Sequence, residues 1–169
     1  DSYSISPADQ LSISAITTKP DTVNEGGEFE FDFITGSSGA LSANVDTIVV
    51  IFQQNTFLPA TISTSNITVS SGGFSDNAAS VTIKKDRAAD DDSVLVVTPI
   101  NIGNEASVTF RLSSSAGYLN PSVAGNYSLK LRTSQEPTAV ESNPYSVVNT
   151  QTTVSQASVT PGDNSTGAT

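Results

Sequence analysis

Four aspartates crowd one short stretch of the chain, Asp86, Asp90, Asp91 and Asp92 in the run DRAADDD. Hard oxygen ligands at such density are what Ca²⁺ takes, so this stretch is the candidate calcium site. Its spacing is not the Asp-x-Asp-x-Asp-Gly pattern of an EF-hand loop. The competing reading is a solvated acidic turn, with Lys84, Lys85 and Arg87 offsetting part of the charge. Asp21, Glu25, Glu28 and Asp46 are weaker candidate ligands.

Catalytic chemistry has less to work with. The chain has no His and no Cys. A nucleophilic triad would have to take its base from a Lys, and no spacing sets Lys19, Lys84, Lys85 or Lys130 beside a Ser. Seventeen Asp and Glu residues offer carboxylates for glycoside hydrolysis, but no spacing singles out a pair. The expectation is a protein that is not an enzyme and requires no cofactor, with calcium the one candidate ion. A Lys crosslink to an amide or carboxyl would need that Lys in the core, and Lys130 alternates away from it.

Three sequons mark candidate glycosylation sites at Asn66, Asn126 and Asn164. Tyr118 and Asn120 sit in the loop sequence SAGYLNP, a candidate surface for a glycan or a partner. The alternative is that Tyr118 plugs one end of the fold. Phe57 and Phe74 lie beside turns, where they would cap the core or enter an interface. The net charge of -10 argues against nucleic acid, which demands basic clusters. No apolar run is long enough to span a membrane as a helix.

Short strands must position these groups. The segment EFEFDF, residues 28–33, alternates charged and aromatic residues, so one face is buried and the other wet. TIVVIF, residues 47–52, is apolar and β-branched throughout and predicts a central strand covered on both faces. Further strands are expected at 62–69, 80–84, 94–97, 105–112, 127–132 and 145–148, divided by Gly, Pro, Asn and Ser turns. The only helical candidate is 60–65. The pattern predicts an antiparallel β-sandwich, with an antiparallel barrel as the other architecture. Residues 1–10 read as an N-terminal extension or edge segment, 11–148 as the body and 149–169 as a C-terminal extension.

The C-terminal extension resembles the first strand. Ile13, Ser14, Ala15, Ile16, Thr17, Thr18, Lys19 and Pro20 align with Val154, Ser155, Gln156, Ala157, Ser158, Val159, Thr160 and Pro161. Chance likeness between Ser/Thr-rich strands is one explanation, and the opening of a tandem repeat is a second. The third is a donor strand that pairs with an open sheet edge of a neighbour. Val154, Ala157 and Val159 would fill its pockets, although the step from 154 to 157 breaks alternation and requires a bulge. Tyr3 and Ile5 make the N-terminal segment a second candidate donor.

One series of motifs extends over the body. It comprises SNITV (65–69), PINI (99–102), VTF (108–110), AGYLNP (116–121), AGNY (124–127), TSQEP (133–137) and SNPY (142–145). With the segment 36–52 and Leu58-Pro59, this series resembles a bacterial immunoglobulin-like repeat of secreted and surface-layer-associated proteins. The resemblance implies an all-β, immunoglobulin-like antiparallel β-sandwich with extended terminal segments and no catalytic site. It implies an extracellular, cell-surface location and a structural or adhesive role. Together with the echoed strand, this leads to a filament or surface-layer subunit that assembles head to tail with copies of itself. The alternative is an adhesion or carbohydrate-binding module of a larger surface protein.

Overall fold

The computed structural model describes residues 10–86 and 91–150. Twelve strands follow in chain order: β1 (Ser12–Lys19), β2 (Glu28–Ile34), β3 (Thr47–Phe52), β4 (Ile67–Ser71), β5 (Phe74–Asn77) and β6 (Ser80–Asp86), then β7 (Asp91–Val97), β8 (Ser107–Leu112), β9 (Gly125–Tyr127), β10 (Leu129–Thr133), β11 (Val140–Glu141) and β12 (Tyr145–Val147). They form two five-stranded sheets, β1-β2-β8-β4-β5 and β11-β10-β3-β7-β6, and a two-stranded sheet, β12-β9. Every pairing between them is antiparallel. The fold is all-β and sandwich-like. Among the described residues no helix is long and apolar enough to cross a membrane.

Alternation places the core. Phe29, Phe31 and Phe33 are fully buried, while Glu28, Glu30 and Asp32 between them are not. Phe31 stacks on Phe110 of the neighbouring β8, with ring centroids 5.1 Å apart. Phe29 crosses the sandwich to Phe52 of β3 at 5.2 Å and reaches Tyr145 of β12 at 5.7 Å. One ring therefore touches all three sheets. β3 lies in the middle of its sheet between β10 and β7, and its three consecutive residues Ile48, Val49 and Val50 are buried. This is the two-sided burial its apolar run predicts.

Several expectations shift. The strand expected at 62–69 begins at Ile67, because a 3-10 turn, Thr64–Asn66, precedes it. That turn is all that forms of the helical candidate. The strand expected at 94–97 begins at Asp91, so the acidic stretch is not wholly a turn: Asp86 and Asp91 are paired across the β6–β7 hairpin. β5 was not anticipated, and all four of its residues are exposed.

Candidate functional site

β1 is an edge strand. It pairs with β2 on one side, and no described strand pairs with the other. Ile13 and Ile16 pack against the core yet remain only partly buried. A groove of about 340 Å³ runs along this open side. Ser14, Ile16 and Thr17 form one wall, and Pro144, Tyr145 and Ser146 form the other. A second groove, about 220 Å³, lies at the start of β1 between Leu11 and Val140.

β1 also carries a bulge. Ile13 faces Phe33 and Ile16 faces Phe31, so Ser14 and Ala15 together stand opposite Asp32 alone. The extra residue turns two side chains three apart toward the same face. Ile13 and Ile16 both reach the core for this reason.

Polar side chains tie the ends of β1 in place. At its start, Glu136 accepts hydrogen bonds from the Leu11 N–H at 2.9 Å and from the Gly36 N–H at 3.2 Å. Gly39 packs so tightly here that a Cβ would lie 2.3 Å from the Glu136 carboxylate. Beyond its end, Asn120 donates to the Pro20 carbonyl at 2.7 Å and to the Thr22 carbonyl at 2.9 Å. Its side-chain oxygen accepts from the Tyr118 hydroxyl at 3.0 Å. The exit of the chain closes the same pole: the Val148 N–H donates to Asp21 O and Val148 O accepts from the Val23 N–H.

Asp46 braces the opposite loops. Its carboxylate accepts from the Ser42 N–H, the Ser134 hydroxyl and the Gln135 amide at 2.7–2.8 Å. These bonds, that from Ser42 foremost, hold its carboxyl below the ordinary value of 3.8.

The candidates named from sequence fare differently. Tyr118 and Asn120 are 1 % and 2 % exposed, so neither side chain presents a surface to a glycan or partner. Tyr118 instead packs against Phe29 and Phe52, the plug reading of its loop. Asn66 is half-buried, its side chain accepting from the Ser113 hydroxyl and donating to the Ser115 carbonyl. Asn126 is exposed on β9, where its oxygen accepts from the Ser146 hydroxyl. Asp92 pairs with Lys85, which also donates to the Leu58 carbonyl and lies over the Phe57 ring. Among the described residues no three acidic side chains come together as a metal site. Asp90, the Asp86 side chain, Tyr3, Ile5, Val154, Ala157, Val159 and Asn164 lie outside what the structure describes. Phe57 and Phe74 are 52 % and 72 % exposed, so neither caps the core.

The two core phenols give the fold an alkaline limit. Burial pushes the Tyr145 hydroxyl up to about 12 from 10.0, and raises that of Tyr118 further. Both stay neutral in the folded protein, whereas an unfolded chain ionises them near 10. Their contribution to stability is whole below pH 10 and falls as pH rises above it, that of Tyr145 being lost through 12. A thermal-melting series is expected to show a falling midpoint across that window. Tyr145→Phe should flatten the fall, and an unchanged slope would refute the assignment.

No family model and no curated protein matches this chain. Among solved structures, it is similar to the N-terminal domain of the adhesin Sgo0707 of Streptococcus gordonii. That match has a TM-score of 0.40 and 12 % identity, and covers 86 % of this chain and 33 % of that one. This chain thus spans about a third of the adhesin chain. It is also similar to AvmM, which catalyses macrocyclization in alchivemycin A biosynthesis, with a TM-score of 0.41 and 7 % identity over 87 % of this chain and 93 % of that one. Both are distant likenesses, to proteins of unlike activity.

Proposed function

We propose that this chain is a non-catalytic, immunoglobulin-like structural module of an extracellular adhesive assembly. The observation that carries the proposal is the placement of its two connections. The body begins at Leu11, tied to Glu136 at one end of β1, and closes at Val148, tied to Asp21 and Val23 beyond the other end. The eight residues of β1 separate these poles by about 25 Å. Modules with entry and exit at opposite poles stack in series, as a surface stalk requires.

The immunoglobulin-like assignment is supported by neighbour order. β1-β2-β8-β4 has the adjacency of strands A-B-E-D, and β11-β10-β3 that of G-F-C. Tyr127 precedes the F-like strand, and its hydroxyl donates to the Val123 carbonyl four residues upstream at 2.7 Å. That is the tyrosine corner of such domains. One departure is that β7, beside the C-like strand, follows β4 in the chain instead of preceding it.

The open edge of β1 favours a second reading, a filament subunit that joins its copies by strand addition. An antibody against the folded domain tests the shared premise. It is expected to label intact cells of the source organism, and labelling only after permeabilisation would overturn an extracellular role. Negative-stain microscopy with solution mass then separates the readings. Filaments indicate the subunit, and a stable monomer with or without Ca²⁺ indicates a module of a larger surface protein.

A further inference from the structure

We infer that copies of this chain meet end to end, the exit pole at Val148 of one seated on the entry pole at Leu11 of the next, with Phe57 entering the groove beside Phe74. This contact rests on the reading of the chain as a module stacked in series and names its partner, a second copy. Among the described residues six large apolar side chains are exposed: Ile34, Val45, Phe57, Phe74, Val123 and Val148. Ile34 ends β2, Val45 precedes β3 and Phe74 opens β5, all at the entry pole. Phe57, Val123 and Val148 lie at the exit pole, in segments held by backbone contacts to Leu119, Asn55 and Thr22. None stands in the middle of a strand. Apolar side chains scattered singly over a surface need no partner, but three at each end and none between is the distribution of an end-on contact.

The two ends differ in shape. At the entry pole Phe74, Ala43, Pro99, Ile100 and Asn101 line a groove of about 260 Å³. Leu41 and Ile102 exchange backbone hydrogen bonds at 2.9 Å, and the Ala43 N–H donates to the Asn101 side chain at 2.8 Å, so the loops facing Phe74 are fixed. At the exit pole the Phe57 backbone is bonded to that of Leu119 in both directions, at 3.0 and 3.2 Å, and Lys85 Nζ lies 5.5 Å from the centre of its ring. The Ser122 N–H donates to the Asn55 carbonyl at 3.0 Å and sets Val123 on the same platform. Both surfaces are preformed, so association orders little. A contact between unlike surfaces leaves one of each free and therefore propagates in series.

The chain's own ends are poor cover for these patches. Residues 1–9 contain Tyr3 and Ile5 as their only large apolar side chains, and 151–169 contain Val154 and Val159. Either polar segment would give up its conformational freedom for two such contacts. A second copy brings a preformed trio to each pole.

Sedimentation of the full chain tests the contact, in about 0.5 M salt to screen repulsion between acidic chains. Protein is raised to about 1 mM, the effective concentration that a short linker imposes on neighbouring modules. The average mass should rise to at least twice that of one chain. Phe57→Asp and Phe74→Asp should each stay monomeric, with the parent's thermal midpoint because both rings are exposed. Val123→Asp and Val45→Asp should repeat the pattern. An equal mixture of Phe57→Asp and Phe74→Asp should restore a complex of two chains and no larger, since the first keeps an intact entry pole and the second an intact exit pole. A parent that stays monomeric overturns the contact, and surface labelling of intact cells would then leave the extracellular reading standing. Growth that survives in both variants puts the joint elsewhere, and loss in only one of them shows like poles meeting. Either result overturns the inference, as does a parent that associates only once 151–169 is removed, which would make the tail the cover.

Discussion

Phe29→Ala is expected to destabilise the domain by about 4 kcal/mol, the cost of removing a buried Phe from a core that cannot collapse around the gap. Phe29 is fully buried, with rings of Phe31, Phe52, Tyr118 and Tyr145 at 5.2–6.2 Å. These four neighbours belong to different elements, so no single movement refills the space. Against a net stability of roughly 5–15 kcal/mol for a typical domain, this loss brings the fold near its limit. Urea unfolding should show a much lower midpoint with an unchanged slope. Phe74→Ala is the matched control: the ring is 72 % exposed, and the change should stay within about 0.5 kcal/mol. Equal effects at the two positions would show that the aromatic centre does not hold the sheets together.

The second large effect is expected at Asn120. Asn120→Ala removes one of the two donors to each of the Pro20 and Thr22 carbonyls, which keep the Thr18 hydroxyl and the Glu25 N–H, and leaves the Tyr118 hydroxyl without its acceptor. A buried polar group stripped of its partner costs about 1–3 kcal/mol, so the total should reach roughly 3 kcal/mol. Asn120→Asp keeps the acceptor but sets a carboxylate oxygen against two carbonyls, and should be at least as damaging. Tyr118→Phe removes only the hydroxyl. Combined with Asn120→Ala it should cost less than the sum of the two, because they share a bond. Strict additivity in the double-mutant cycle would sever the Tyr118–Asn120 link.

The parts of this fold that burial dictates are legible in the sequence. Phe29, Phe31 and Phe33 declare a half-buried strand by period alone, and the apolar run 47–52 declares a covered one. β5 is silent because all four of its residues face solvent, and nothing in an exposed edge imposes a pattern. β11 has only two residues, too few to carry one. The polar ties are silent for another reason: Glu136 meets Leu11 across 125 residues, and Asn120 meets Pro20 across 100. Local spacing contains no trace of such pairs, although the motifs TSQEP and AGYLNP point to the residues. The same motifs leave Tyr118 open as a surface contact or as a plug of one end, and the structure makes it a core ring. The bulge is half legible. Ile13 and Ile16 are visibly out of step, but only the register against β2 shows that both turn inward.

The opposite placement of entry and exit has a mechanical consequence. Tension applied through the two connections pulls on Leu11 at one pole and Val148 at the other, along the axis of β1. The hydrogen bonds between β1 and β2 lie across that axis. Such a force does not peel the ladder open one rung at a time. It loads the rungs together in shear, from the pairing of Ser12 with Ile34 to that of Lys19 with Glu28. An edge strand, held on one side only among the described residues, is thus oriented to resist being drawn out of its sheet.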